Sequence, residues 1–151
     1  LALTRSTGVS PACLKLEITE SALEGNFSEA NTVIDDLVTA GFSLALDDFG
    51  KGHSSLERVI ALPFSMLKVD RSFVWQTPDG PGAGVVESLV KLADHLHFYT
   101  LGEGVETAAH ETFLRDCGYA YAQGYYYGKP VAAEDFPSGD QNRPTFSRLR
   151  R

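Results

Sequence analysis

The chain has 151 residues, 43% of them hydrophobic, which predicts one globular domain with room for a sizeable core. Its formal net charge of −7 at pH 7 argues against bulk nucleic-acid binding, because that function normally requires a basic face. No run of residues approaches the roughly 18 apolar positions that a membrane span needs.

The predicted elements alternate between strands and helices along the chain. Strand character is found in residues 14–18, 42–46, 66–69, 98–101 and 121–126. Helices are expected from about Ala30 to Gly41, from near Ser54 to Pro63, from about Gly84 to Leu96, and from Thr107 to Cys117. This alternation predicts a parallel sheet with right-handed crossovers.

Four of the five strands end in charged side chains, which are Glu17, Asp47 with Asp48, Lys68 and Glu103. Ionisable groups at the carboxyl ends of strands that alternate with helices are typical of the active face of a (β/α) barrel. A complete barrel needs about eight strands and 250 residues. The sequence therefore predicts an α/β fold, an incomplete TIM-type barrel of about five parallel strands over residues 1–136, followed by a flexible basic tail over residues 137–151.

The first pair of acids, Glu17 and Glu20, lies three residues apart at a strand end. Glu17 is a candidate metal ligand, and Glu20 is a candidate anchor for a neighbouring loop. A salt bridge at the rim of the sheet is the alternative interpretation.

The adjacent pair Asp47 and Asp48 is a stronger indication of metal binding. Mg²⁺ and Mn²⁺ prefer carboxylate oxygens, and two acids at one strand end could bridge two metals roughly 3.5–4 Å apart. A strand turns neighbours to opposite faces, so using both acids requires a bend near Phe49 and Gly50. The alternative is a capping or turn aspartate. The glycine-rich segment 50–55 that follows is a candidate mobile active-site loop.

Lys68, placed between two aliphatic residues, is a candidate for orienting or deprotonating an attacking water. Its alternative is a structural ion pair with Asp70 or Glu17. Glu103 and Glu106 repeat the spacing of Glu17 and Glu20. Magnesium carboxylates combined with a lysine base also occur in enolase-like barrels, which form an alternative reaction class.

Five ordered strings of the sequence together resemble the EAL-domain family of bacterial cyclic di-GMP phosphodiesterases. They are Leu16–Ser21, Asp47–Leu56, Leu67–Val74, Glu103–Thr107 and Gln123–Tyr125 with Lys129–Pro130. The resemblance runs from about Leu3 to Pro130. It implies a (β/α)8-type barrel with one antiparallel strand, of which this chain supplies the last five strands.

The resemblance also implies metal-dependent hydrolysis of cyclic di-GMP to linear pGpG, with Mg²⁺ or Mn²⁺ as cofactor. On this basis Lys68 and Glu103 are expected to be catalytic, with Lys68 acting on the hydrolytic water. The remaining roles are metal binding by Glu17, Asp47 and Asp48, substrate binding by Gln123, and loop stabilisation by Glu20.

The sequence departs from the family pattern at several points. The Glu-Ala-Leu signature and an asparagine of the following strand, both metal ligands, are expected upstream of Leu1. Lys51, His53 and Gly102 replace the residues that the family usually has. Whether this chain alone is an enzyme is therefore left open, and a catalytically inactive module that binds cyclic di-GMP or takes part in signalling is the alternative.

The expected partners are cyclic di-GMP, a second copy in a homodimer formed through open barrel edges, and an upstream sensor or GGDEF-type domain. The chain lacks an initiator Met and a signal peptide, so it is expected to begin inside a longer protein. Its two cysteines, Cys13 and Cys117, have neither metal nor redox spacing. A cytoplasmic domain is expected, in a parent protein that could itself be membrane-anchored.

Overall fold

The computed structural model describes residues 2–23, 27–50, 56–135 and 146–149. Its helices are α1 (Ala2–Thr7), α2 (Phe27–Thr39), α3 (Leu56–Ala61), α4 (Arg71–Val74), α5 (Gly82–His95) and α6 (Ala108–Cys117). Its strands are β1 (Lys15–Thr19), β2 (Ser43–Phe49), β3 (Met66–Val69), β4 (Tyr99–Gly102), β5 (Tyr121–Gln123) and β6 (Phe146–Arg148). Short 3₁₀ turns cover Pro11–Cys13, Glu20–Leu23 and Ala133–Asp135.

The strands form one sheet in the order β1-β2-β3-β4-β5-β6. Neighbouring strands from β1 to β5 are parallel, and β6 is antiparallel to β5. Over the ranges given above, the sheet is open rather than closed into a ring. The prediction of an incomplete barrel with five parallel strands and alternating helices is confirmed.

The two faces of the sheet have different coverings. The outward side chains of β2 and β3 pack with α2, α3 and α5 in a core that includes Leu44, Leu67, Ile34, Val59 and Ala93. The opposite face is lined by Ala45, Met66 and Leu101, with Tyr121 packed against them. Because side chains alternate along a strand, the second face is the inner surface of the barrel wall.

Local signals explain where α6 begins and ends. The Oγ1 atom of Thr107 accepts a hydrogen bond from the backbone N–H of His110 at 3.2 Å, which is the expected N-cap. Gly118 follows the helix with φ 92°, a left-handed conformation that glycine adopts without steric cost.

Several elements differ from the sequence-based expectation, and among them helix α1 was not predicted. The last predicted strand, 121–126, ends at Gln123, and the chain then turns, with the N–H of Tyr127 donating to the carbonyl of Gly124 at 3.0 Å. Gly124 lies so close to Val105 that an added Cβ would be 2.2 Å from its carbonyl oxygen. The short helix α4 was not predicted. It is capped by Asp70, whose Oδ1 accepts a hydrogen bond from the Ser72 N–H at 2.8 Å.

Within the segment predicted as a tail, the structure adds the strand β6 and the residue that follows it. The N–H of Leu149 donates to the carbonyl of Ala120 at 2.8 Å, and its side chain packs on the core around Val69 and Val105. The sequence did not indicate this strand, and the division of the chain at residue 136 stays a prediction. Among the helices that the structure describes, none has both the length and the apolar character to span a membrane.

Candidate functional site

The carboxyl ends of the first four strands bring three acids to one amine. The Nζ atom of Lys68 lies 2.7 Å from an oxygen of Glu17, 3.0 Å from one of Asp47 and 2.8 Å from one of Glu103. The Lys68 side chain is only 6% exposed. The four residues converge, as expected from the sequence, and they define the acid–lysine cluster.

The register of the sheet explains this convergence. Glu17 shares the inner face of β1 with Lys15, Asp47 follows Ala45 by two residues, and Lys68 follows Met66 by two. Glu103 comes directly after β4, where its N–H donates to the carbonyl of Val69 at 3.0 Å. Parallel strands place their carboxyl ends at the same edge, so all four side chains meet there.

The charges in the cluster shift its pKa values. Burial alone would lower the pKa of Lys68, but its hydrogen bonds to Glu103, Glu17 and Asp47 outweigh that effect and raise the pKa above its usual range. Burial raises the pKa of Glu103, an effect that the Lys68 ammonium opposes. Lys68 in this arrangement is a protonated hydrogen-bond donor, which suits it to orient a water rather than to deprotonate one.

The adjacent pair Asp47 and Asp48 marks an irregularity at the end of β2. The pairing of β2 with β3 shifts register between Leu46 and Phe49, and Asp48 has φ 56°. The N–H of Asp48 donates to Oδ1 of Asp47 at 2.9 Å. The predicted departure from a regular strand is thus present, and it occurs at Asp48, just before the expected bend.

Glu20 is almost fully buried, and its Oε2 accepts a hydrogen bond from the N–H of Gly50 at 3.0 Å. This contact joins the 3₁₀ turn after β1 to the start of the glycine-rich segment. Residues 51–55 of that segment, including Lys51 and His53, lie outside the described residues. The loop-stabilising role of Glu20 stays a prediction.

Gln123 is exposed at the end of β5 and lines a cavity of about 260 Å³ next to Glu103. The other lining residues are Arg71, Trp75, Gly104, Glu106, Gly124 and Tyr125. Arg71 and Trp75 were not singled out from the sequence, although Arg71 belongs to the string Leu67–Val74. Only the folded chain brings α4 against the segments that follow β4 and β5.

The donor chemistry of the cluster fits a hard divalent cation. Its acids offer carboxylate oxygens, the ligands that Mg²⁺ and Mn²⁺ prefer. Within the part of the chain that the structure describes, no three histidine, cysteine or acidic residues form a group that could hold a metal ion as they are arranged here. The carboxylates of Glu17, Asp47 and Glu103 instead surround the Lys68 ammonium.

Comparison with known proteins identifies the class of protein. The family model described as the EAL domain matches residues 1–130, and the chain belongs to that family. The assignment agrees with the resemblance drawn from the five sequence strings.

Among curated proteins, the chain is 37% identical over 133 residues to the cyclic di-GMP phosphodiesterase NbdA of Pseudomonas aeruginosa, covering 85% of this chain and 17% of NbdA. Among solved structures, the EAL domain of Mycobacterium smegmatis DcpA superposes with a TM-score of 0.83 at 32% identity, covering 89% of this chain and 60% of that one. Klebsiella pneumoniae BlrP1, solved with manganese and cyclic di-GMP, gives a TM-score of 0.77 at 29% identity, covering 83% and 32% of the two chains. BlrP1 has also been solved with calcium and cyclic di-GMP.

The chain spans about a sixth of the length of NbdA and of the Bacillus subtilis signaling protein YkoW. The activities of those full-length proteins are therefore not assigned to this chain on similarity alone.

Proposed function

We propose that this chain forms part of a phosphodiesterase that hydrolyses one phosphodiester bond of cyclic di-GMP and releases linear pGpG. The observation that carries the proposal is the acid–lysine cluster, where Glu17, Asp47 and Glu103 lie within 3.0 Å of the Lys68 Nζ atom. Membership of the EAL family and the likeness to NbdA, a cyclic di-GMP phosphodiesterase, support the choice of substrate.

The residue roles follow from position and charge. Lys68 donates hydrogen bonds from a fixed ammonium, so it holds the attacking water and the charge that develops on the phosphate. Glu103 is the acid of the cluster that lines the cavity with Gln123, so it and Lys68 are the proposed catalytic pair. Gln123 offers an amide to the substrate, and Glu20 holds the start of the glycine-rich segment through Gly50.

Glu17, Asp47 and Asp48 are the proposed ligands of divalent metal, Mg²⁺ or Mn²⁺. When bound, such a cation supplies Lewis-acid polarisation of a phosphoryl oxygen and lowers the pKa of a water. The carboxylates of Glu17 and Asp47, which would hold the cation, also pair with the Lys68 ammonium.

We further propose that the domain works in the cytoplasm as a homodimer, and that a sensor or GGDEF-type domain precedes it in a longer protein. The open sheet supports association, because it presents unpaired strand edges. The Pseudomonas aeruginosa relative MucR, a bifunctional diguanylate cyclase and cyclic di-GMP phosphodiesterase, supports a partner domain of the opposite activity.

The test is hydrolysis of cyclic di-GMP in Mg²⁺, in Mn²⁺ and with a chelator, followed by chromatographic detection of pGpG. Asp47→Asn keeps the shape of the side chain and removes its charge, and we expect it to lower kcat/KM at least about 100-fold. Asp35→Asn, an exposed aspartate on α2, is the matched control and is expected to leave the rate unchanged.

Two results would contradict the proposal. One is an Asp47→Asn rate equal to that of the unmodified chain. The other is calorimetric binding of cyclic di-GMP without turnover in either metal, which would identify a binding module instead.

A further inference from the structure

We propose that an acidic groove between α5 and α6 binds the arginine pair that follows β6, Arg150 and Arg151, and so fastens β6 to the edge of β5. Both arginines lie outside the described residues. The contact involves no residue of the acid–lysine cluster and is independent of the proposed hydrolysis.

The acidic groove is a cavity of about 510 Å³ between α5 and α6. It is lined by the charged residues Glu87, Lys91, Asp94 and Asp116, beside Phe113 and Cys117. Three acids and one lysine give the groove a net negative charge. Burial raises the pKa of the Cys117 thiol, and the carboxylates of Glu87 and Asp116 raise it further, which agrees with a negative potential in the groove.

The two helices add to this negative potential where they end. α5 ends at His95 before β4, and α6 ends at Cys117 before β5, so both helices return to the edge where the parallel strands begin. The backbone carbonyls at the C-terminus of a helix carry a partial negative charge and favour a nearby cation. A positively charged segment is therefore the occupant that suits this end of the groove.

The direction of β6 brings the arginine pair to the same edge of the sheet. β6 is antiparallel to β5, and its last residue, Arg148, pairs with Tyr121, the first residue of β5. Leu149 then lies beside Ala120, whose carbonyl accepts a hydrogen bond from the Leu149 N–H at 2.8 Å. A strand parallel to β5 would carry the arginine pair to the opposite edge, away from the ends of the two helices.

Leu149 also lies close to the groove. Its side chain packs on the same hydrophobic cluster as Phe113 and Cys117, two residues that line the groove. Its hydrogen-bond partner, Ala120, follows Cys117 by only two intervening residues. Two further residues extend a chain by at most about 7 Å, and the long side chain of arginine adds to that reach. The groove is therefore within reach of the arginine pair.

The pairing of β6 with β5 is short enough to need this support. β6 has three residues, whereas strands in globular proteins usually have about five or six. β6 covers the edge of β5, which would otherwise present unpaired N–H and C=O groups. Hydrogen bonds between guanidinium and carboxylate groups are stronger than neutral ones, and arginine can form two of them with one acid.

Hydrogen exchange of the Leu149 amide measures how firmly β6 is held. Arg150→Gln combined with Arg151→Gln removes the positive charges, and we expect exchange to be about 3- to 10-fold faster, the effect of two or three charge pairs near the surface. Glu87→Gln combined with Asp116→Asn changes only the groove and should accelerate exchange to a similar extent. Mass spectrometry of the peptide that contains Leu149 gives the rate.

Two comparisons show whether both double variants remove the same contact. A chain with all four substitutions should exchange little faster than either double variant, because a contact can be lost only once. About 0.5 M NaCl should accelerate exchange in the unmodified chain but not in the chain with four substitutions. Asp35→Asn, at an exposed position on α2, is the matched control, and circular dichroism checks the fold of each variant.

Cross-linking tests the contact with the groove intact and the charges retained. Arg150→Lys combined with Arg151→Lys keeps both positive charges and supplies amines, which a carbodiimide joins to carboxylates in direct contact. We expect cross-links to the acids of the groove and none to Asp35. An equal mixture of isotopically light and heavy chains shows whether a cross-link lies within one chain or between two.

Three results would overturn the proposal. The first is a Leu149 exchange rate in either double variant equal to that of the Asp35→Asn control. The second is independent, multiplicative acceleration by the two double variants. The third is a set of cross-links that avoid the groove or that join light to heavy chains, since the latter would show that the groove binds a second copy. None of these results bears on hydrolysis of cyclic di-GMP.

Discussion

The two ends of the inner sheet face each hold a lysine, and the two lysines have opposite surroundings. Lys15 begins β1, where its Nζ donates to Oγ of Ser65 at 2.8 Å, and burial lowers its pKa. Lys68 lies at the other end, where three carboxylates raise its pKa. At the amino end the lysine is paired with a neutral hydroxyl, whereas at the carboxyl end the lysine is surrounded by negatively charged carboxylates.

The difference shows that the fold alone does not create the site. Lys15 and Glu17 are two residues apart on the same strand and share a face, yet only Glu17 belongs to the cluster. In (β/α) barrels the carboxyl end carries chemistry and the amino end carries stability. The following substitutions test whether that division holds in this chain.

The largest effect is expected for Lys68→Met. It leaves three acids facing one another around an uncharged side chain, and we expect the free energy of unfolding to fall by about 2–4 kcal/mol at neutral pH. On the proposed function, hydrolysis falls at least about 100-fold. Urea unfolding and the pGpG assay measure the two effects.

Lys15→Met is the matched control at the amino end. Its partner is a hydroxyl near solvent, so we expect a loss below about 1 kcal/mol and an unchanged rate. The loss of stability in Lys68→Met should also shrink toward pH 4, because protonation removes the repulsion among the acids. If the free energy of unfolding fell equally in the two lysine variants, the two ends of the sheet would not differ in their contribution to stability.

Chemical modification compares the same two amines without mutation. Acetylation requires the neutral amine, so at about pH 8.5 we expect Lys15 to react at least about 10-fold faster than Lys68. The raised pKa of Lys68 also makes its contribution to folding stability depend on pH. That contribution is complete below the ordinary lysine pKa of about 10.4 and is lost as the pH rises through the raised value. Peptide mass spectrometry after brief labelling reads both sites, and faster labelling of Lys68 would argue against the observed ion pairs.

Gly102→Ala tests the packing behind the carboxyl end. The new Cβ would lie 2.6 Å from Cδ1 of Leu114, whose side chain is fully buried in α6. We expect a loss of about 1–2 kcal/mol in urea unfolding. Since the Leu114 side chain is what the new Cβ would meet, Leu114→Val should relieve part of the loss in the double variant. Strict additivity of the two substitutions would show that Leu114 is not the cause.

The elements that the sequence predicted well are those with a local pattern. The strand Met66–Val69 was placed at its observed bounds, and α6 has the cap residues that its ends require. The residues of the acid–lysine cluster were also named in advance, because each stands at a strand end and parallel strands share an edge.

The features that were missed depend on contacts between distant segments. Helix α4 has four residues, too few to show a period, and β6 has three. The run of tyrosines after Gln123 resembles a strand by composition, but the N–H of Tyr126 donates to the carbonyl of Val105 at 2.9 Å and the chain turns. The cavity beside Trp75 combines three separate segments, so no local pattern could reveal it.

A smaller effect than that of Gly102→Ala is expected at the amino end, for Tyr99→Ala. Tyr99 is more than half exposed, and its ring meets that of Tyr121 edge to face with 6.0 Å between centroids. Loss of that contact should lower the free energy of unfolding by about 1 kcal/mol, whereas Tyr99→Phe keeps the ring pair and should change little. Neither variant should alter pGpG formation, since Tyr99 lies at the end of β4 away from Glu103. A fall in rate with Tyr99→Ala would mean that the amino end shapes the site as well.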